Sequence, residues 1–69
     1  MEELKLRDDF IRLGQALKAA NLVGSGAEAK IVVQDGQVKV NGQTDTARGR
    51  KLVEGDEFSF AGVTVRITK

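Results

Sequence analysis

The run GSGAEAKIVVQDGQVKVNG, from Gly24 to Gly42, constrains the fold of this chain more than any other stretch. Gly24-Ser25-Gly26 breaks the preceding pattern, and Ser25 is the natural N-cap of a short helix, with Glu28 at the capping-box spacing. Ala29, Val32 and Val33 would form its buried face, and Gly36 can adopt the positive φ found just past a helix end. Gln37-Val38-Lys39-Val40 then alternates, valines inward and lysine outward. Asn41-Gly42 closes it with the strongest short hairpin signal, because a type I′ turn needs φ > 0 at both central residues. A return strand is expected around Gln43 to Thr46. A helix running directly into a hairpin is an α+β signature.

The flanks extend this pattern. Phe10, Leu13, Leu17 and Ala20 recur at i, i+3, i+7 and i+10, which predicts an earlier amphipathic helix with Arg12 and Lys18 off its apolar stripe. Asp9 is a candidate N-cap, with a start a few residues later equally compatible. A break of three to five residues would let the two helices pack as a hairpin. Glu2 to Arg7 alternates weakly, with Leu4 and Leu6 on one face, and reads as a short edge strand. Phe58 and Phe60, then Val63, Val65 and Ile67, alternate about Ala61-Gly62 as a terminal hairpin. The expected architecture is a two-helix hairpin packed on a small, mainly antiparallel sheet, one domain over residues 1–69.

At 69 residues the chain has one modest core, of the kind that supplies about 3–5 kcal/mol of net stability. It contains no cysteine and no histidine, so disulfides, His/Cys zinc sites and ordinary nucleophilic triads are excluded. Carboxylate chemistry remains open in principle, but a chain this short would struggle to enclose a dry active site. The expectation is a non-catalytic protein without cofactor or metal. MEELKLRDD lacks the apolar core of a signal peptide, and no apolar run approaches the roughly 20 residues that span a bilayer. A cytoplasmic, monomeric protein with no membrane partner is expected.

Net charge is only +1, but it is unevenly placed. Between Phe10 and Val53, Arg12, Lys18, Lys30, Lys39, Arg48, Arg50 and Lys51 face only Glu28, Asp35 and Asp45, so this block carries +4 and the two ends together −3. A basic middle between acidic ends suits an anionic partner. Arg48-Gly49-Arg50-Lys51 is its densest part. Lys30 could donate to phosphate from the second helix, where the helix N-terminus also favours anions. Lys39 could extend the patch from the hairpin, or serve to discourage edge pairing. Ser25 is first a cap and second a ligand. Arg12 and Lys18 are peripheral candidates.

These residues resemble a known family, the RNA-binding domain named after small-subunit ribosomal protein S-four, whose core is two short helices followed by a β-hairpin. Arg12-Leu13-Gly14 and Leu17 occupy the family's Arg-Leu-Asp and the apolar residue that follows it. Ser25, Gly26, Ala29 and Lys30 stand where its second helix opens. Gly36, Val38, Val40, Asn41 and Gly42 match its Gly-x-Val-x-Val-Asn-Gly hairpin, and Gly55-Asp56 its later Gly-Asp. The likeness spans roughly Arg12 to Phe58. It is closest to the small stand-alone bacterial members, which share the Ser25-to-Lys30 pattern and the Arg48-Gly49-Arg50-Lys51-Leu52 run.

Two positions depart from the pattern: Gly14 replaces the usual aspartate and Gly26 an arginine. The resemblance therefore implies phosphate contacts shifted toward Lys30, Arg48, Arg50 and Lys51. In larger members the module is appended to pseudouridine synthases, tyrosyl-tRNA synthetases or RNA methyltransferases. The resemblance implies that the module positions structured RNA while another domain does the chemistry, and that this chain is a binding protein for RNA of the ribosomal or transfer RNA class. With no Trp or Tyr, and with Phe10, Phe58 and Phe60 all fitting the core pattern, a stacking platform for single-stranded bases is not expected. Folded or double-stranded RNA, read by shape and backbone, fits better. The alternative is an adaptor docking a protein partner within a ribonucleoprotein assembly. A sulfur carrier of the β-grasp type is set aside, because the chain ends Val65-Arg66-Ile67-Thr68-Lys69 rather than Gly-Gly.

Overall fold

The computed structural model describes residues 1–69. In chain order it has β1 (Glu2–Lys5), β2 (Ile11–Arg12), α1 (Leu13–Ala19), α2 (Gly26–Gln34), β3 (Val38–Val40), β4 (Gln43–Thr44), β5 (Lys51–Leu52), β6 (Glu57–Phe60) and β7 (Val63–Thr68). Five strands form one sheet in the order β1-β7-β6-β3-β4, antiparallel except for the parallel β1–β7 edge. β2 and β5 form a separate antiparallel pair. The α+β expectation holds: two helices cover one face of a small, mainly antiparallel sheet.

The core lies between these layers. Leu13, Ala16 and Leu17 from α1 and Ala29, Val32 and Val33 from α2 are buried with Val38, Val40, Leu52, Phe58, Val65 and Ile67, and no polar side chain is buried. Strand alternation produces this. Val40 faces Phe58, and Phe58 faces Val65, so their side chains share the inner face. Lys39, directly opposite Ser59, points to the outer face.

Both helices end the same way. Leu22 N–H donates to Leu17 C=O and Asn21 N–H to Lys18 C=O, with Asn21 at φ 59. Gln37 N–H donates to Val32 C=O and Gly36 N–H to Val33 C=O, with Gly36 at φ 78. Each is the paired bonding of a Schellman cap, which satisfies orphan carbonyls at the helix end. The sequence pointed to the Gly36 cap but not to the one at Asn21. Residues Ala20 to Ser25 join the helices, a longer link than the three to five residues expected.

The start of α1 differs more. Asp9 is not its cap: Arg12 holds that position, and Asp9 bonds Lys69 Nζ at 3.0 Å. The helix starts late because Ile11 and Arg12 are taken up in pairing with Leu52 and Lys51. Phe10 is thereby left outside the helix and 38% exposed, which corrects its assignment to the core. At α2, Ser25 Oγ accepts the Glu28 N–H at 3.1 Å as expected, but Glu28 Oε1 reaches back to Gly24 N–H at 2.7 Å, one residue before the box position.

The return strand β4 is shorter than expected, ending at Thr44. Asn41 and Gly42 take φ 51 and 82, the positive pair a type I′ turn requires. Asn41 does more than turn the chain. Its Oδ1 accepts the Glu57 N–H at 3.0 Å and its Nδ2 donates to Asp56 Oδ1 at 3.1 Å, tying the turn to the start of β6.

Ala61-Gly62 repeats the left-handed pair at φ 53 and 81 between β6 and β7. Alanine is poorly suited there, because its Cβ crowds the following carbonyl, whereas asparagine tolerates this region. Ala61→Asn is expected to stabilise the protein by about 0.5–1 kcal/mol, which raises the thermal midpoint by about 2–8 °C for a domain of this size. An unchanged or lowered midpoint would show that the turn carries no such strain.

Candidate nucleic-acid interface

The short β2–β5 pair assembles the site. Its register places Arg12 opposite Lys51, and the chain just before β5 runs over the first turn of α1. Leu13 N–H donates to Arg50 C=O at 2.8 Å and Gly14 N–H to Arg48 C=O at 2.9 Å. Two orphan donors of the helix terminus are thus satisfied by the basic loop itself. The Arg12 guanidinium adds a bond from Nη1 to Gly49 C=O at 2.7 Å. The loop is therefore a fixed platform, with its main chain tied down and the Arg48 side chain exposed.

Between this loop and the starts of the two helices lies a cleft of about 390 Å³. Arg12, Lys18 and Arg48 line it with Gln15 and Gly49, over a floor of Gly14, Gly26 and Ala29. No carboxylate is among the lining residues. Glu28, the acid nearest in sequence to that floor, is turned away onto Gly24 N–H. The cleft is also open at the two positions that depart from the family pattern. A Cβ at Gly26 would meet nothing within 4 Å, and one at Gly14 would only touch Arg48 and Ala29 at 3.5–3.9 Å. Cations around an open, acid-free hollow are suited to phosphate oxygens.

The other candidates fall at different distances from this cleft. Lys51 lies at its edge, on the strand opposite Arg12, with Nζ 4.7 Å from the centroid of the Phe10 ring. Lys30 is exposed one helical turn beyond Gly26, on the same side of α2. Ser25 caps that helix and holds its hydroxyl oxygen on the Glu28 N–H. Arg50 is engaged elsewhere, with Nη1 2.6 Å from Asp45 Oδ2. Lys39 stands on the outer sheet face in a separate hollow with Ser59 and Thr64. The structure therefore groups Arg12, Lys18 and Arg48, with Lys51 and Lys30 at the margins, and separates Lys39 from them.

Asp45 anchors the loop's approach. Its carboxyl is held below the ordinary carboxylate range, first by the Ala47 N–H at 2.9 Å and then, against the opposing effect of burial, by Arg50. A lowered carboxylate stabilises the fold at neutral pH, and that contribution is lost as pH falls through its lowered value. Arg50 is in this sense a strut: its charge is spent on Asp45 and its carbonyl on Leu13.

Gln15 and Phe10 lie at the site, and sequence reasoning did not single them out for it. Gln15 sits three positions after Arg12, and its Oε1 accepts the Arg12 N–H at 3.3 Å. A glutamine three residues after the N-cap makes this reach-back half of a capping box available, although arginine cannot supply the other half. For Phe10, the pointer was the alternative start of the helix a few residues after Asp9, which leaves the phenylalanine ahead of it.

Comparison with known proteins agrees with this architecture. The S4 domain family profile matches residues 4–68. "Putative RNA-binding protein YbcJ" of Escherichia coli (strain K12) is 42% identical over 57 residues, which cover 83% of this chain and 81% of that protein. "Probable ribosome maturation protein RlbA" of Bacillus subtilis (strain 168) is 39% identical over 59 residues, 86% and 83% of the two chains. The solution structure of YbcJ from E. coli, described as revealing a recently discovered αL motif involved in RNA-binding, superposes with a TM-score of 0.76 at 37% identity, covering 100% of this chain and 89% of that one. No helix here is long and apolar enough to cross a membrane. With a profile match over nearly its whole length, and relatives that share both sequence and fold, this chain belongs to the S4 domain family.

Proposed function

We propose that the protein is a non-catalytic RNA-binding domain over residues 1–69 that holds folded or double-stranded RNA in the cleft between α1, α2 and the Arg48–Lys51 loop. The observation that carries this reading is the convergence of Arg12, Lys18 and Arg48 on one acid-free cleft whose loop is fixed by main-chain bonds. Phosphates are the ligand such a cleft accepts best, since fixed cations neutralise them and release condensed counterions. The names of the relatives support RNA over other polyanions, and that of RlbA favours ribosomal over transfer RNA.

In this reading Arg12, Lys18 and Arg48 contact phosphates directly. Lys51 and Lys30 extend the track at either margin, and Ser25 and Arg50 hold the elements that carry it. Lys39 contributes only long-range potential. Gly14 and Gly26 let the backbone of the RNA approach α1 and α2 closely, as a longer side chain at either place would not.

The test is a titration of hairpin ribosomal RNA at several salt concentrations. Neutralising three to five phosphates gives a log–log slope of about −2 to −4. A flat response, or no binding at low salt, contradicts the reading and favours a protein partner on this face.

A further inference from the structure

We propose that Phe10 is a stacking seat for one unpaired nucleobase of the RNA whose backbone lies in the basic cleft. The inference rests on the proposed RNA-binding role and adds to it a preference for folded RNA with an unpaired nucleotide beside a helix.

Three observations carry it. First, Phe10 is 38% exposed while Phe58, at the centre of the core, is 1% exposed. An aromatic ring gains much from burial, and in a domain with so little core its place at the surface forgoes that gain. Second, the ring holds two cations, Lys51 Nζ at 4.7 Å and the Arg12 guanidinium at 5.4 Å from its centroid. These two residues are directly opposite on β2 and β5, a like-charge pairing that disfavours the strand pair. Neither has a carboxylate partner; the ion pairs of the chain are Arg50–Asp45 and Lys69–Asp9.

Third, Phe10 lines a hollow of about 290 Å³ that neighbours the basic cleft. Gln15 lines both spaces, and the second also holds Lys5 and Arg7 with one acid, Asp8, over an apolar floor that includes Leu6 and Ile11. A phosphate in the first space and its attached base in the second is the arrangement these neighbours suit. An exposed aromatic ring takes any base, because every base has a π-face. An apolar side chain of a protein partner would leave Lys51, Arg12, Lys5 and Arg7 without a counter-charge.

The decisive experiment uses two short RNA hairpins that differ by a single bulged adenosine, with a second version of the bulge labelled by 2-aminopurine. The wild-type protein is expected to prefer the bulged hairpin by about 5- to 100-fold, the range of one base–aromatic stack, and to change the label's fluorescence on binding. Phe10→Leu, which keeps an apolar side chain of similar size, should abolish that preference, so that the variant binds the bulged and the fully paired hairpins equally. Phe10→Tyr should restore the preference. Equal binding of both hairpins by wild type, with a normal salt slope, overturns the stacking seat and leaves the basic cleft intact. A preference that survives Phe10→Leu overturns it as well. Binding of neither hairpin at low salt overturns both the seat and the cleft.

Discussion

Replacing Arg12, Lys18 and Arg48 together by glutamine is expected to weaken RNA binding by about 100-fold at low salt. Each cation in contact with phosphate contributes on the order of 1 kcal/mol or more, and about 3 kcal/mol corresponds to that factor. The salt slope should also become shallower by about 2–3, because three fewer counterions are released. The size of the effect comes from convergence: all three side chains line one cleft and no acid offsets them. A charge-matched control separates this from bulk electrostatics. Lys39→Gln, Arg66→Gln and Lys69→Gln remove the same charge from exposed positions outside the cleft lining, and that variant should retain most of the affinity. Equal losses in the two variants would mean that the protein attracts RNA by its overall charge and not by this cleft. Circular dichroism of both variants, compared with wild type, establishes that the fold persists.

Phe58→Ala should leave the protein largely unfolded at room temperature. Phe58 is 1% exposed, sits opposite Val40 on β3 and Val65 on β7, and is the largest of the fully buried side chains. Truncating such a residue costs about 3–5 kcal/mol through lost transfer energy and the cavity left behind. A core of this size supplies about the same amount in total, and no disulfide compensates. Urea unfolding followed by circular dichroism would show a lost or strongly shifted transition. A cooperative transition near the wild-type midpoint would mean that the helical layer, rather than the sheet centre, carries the stability.

What could be read from the sequence was what local chemistry decides. Ser25 as a cap, Gly36 past the end of α2, the Val38–Val40 alternation and the Asn41-Gly42 turn each depend on residues a few positions apart, and each is present. The errors lie where distant segments decide. Phe10 has the spacing of a helix core residue, but pairing of Ile11 and Arg12 with a strand some forty residues later delays the start of the helix to Leu13. The same pairing draws Arg12, a peripheral candidate by periodicity, to the wall of the cleft. Charge count could not reveal that Arg50 is matched to Asp45. Nor does period-two alternation in Glu2–Lys5 say that this strand runs parallel to β7.

The most direct test of the account is to titrate uniformly ¹⁵N-labelled protein with a structured ribosomal RNA hairpin and follow the amide resonances. The account predicts that Gly14, Gln15, Gly26, Arg48 and Gly49 shift most, with the outer-face amides of Lys39, Ser59 and Thr64 nearly unmoved. Shifts concentrated on that outer face, with the cleft amides unchanged, would contradict it.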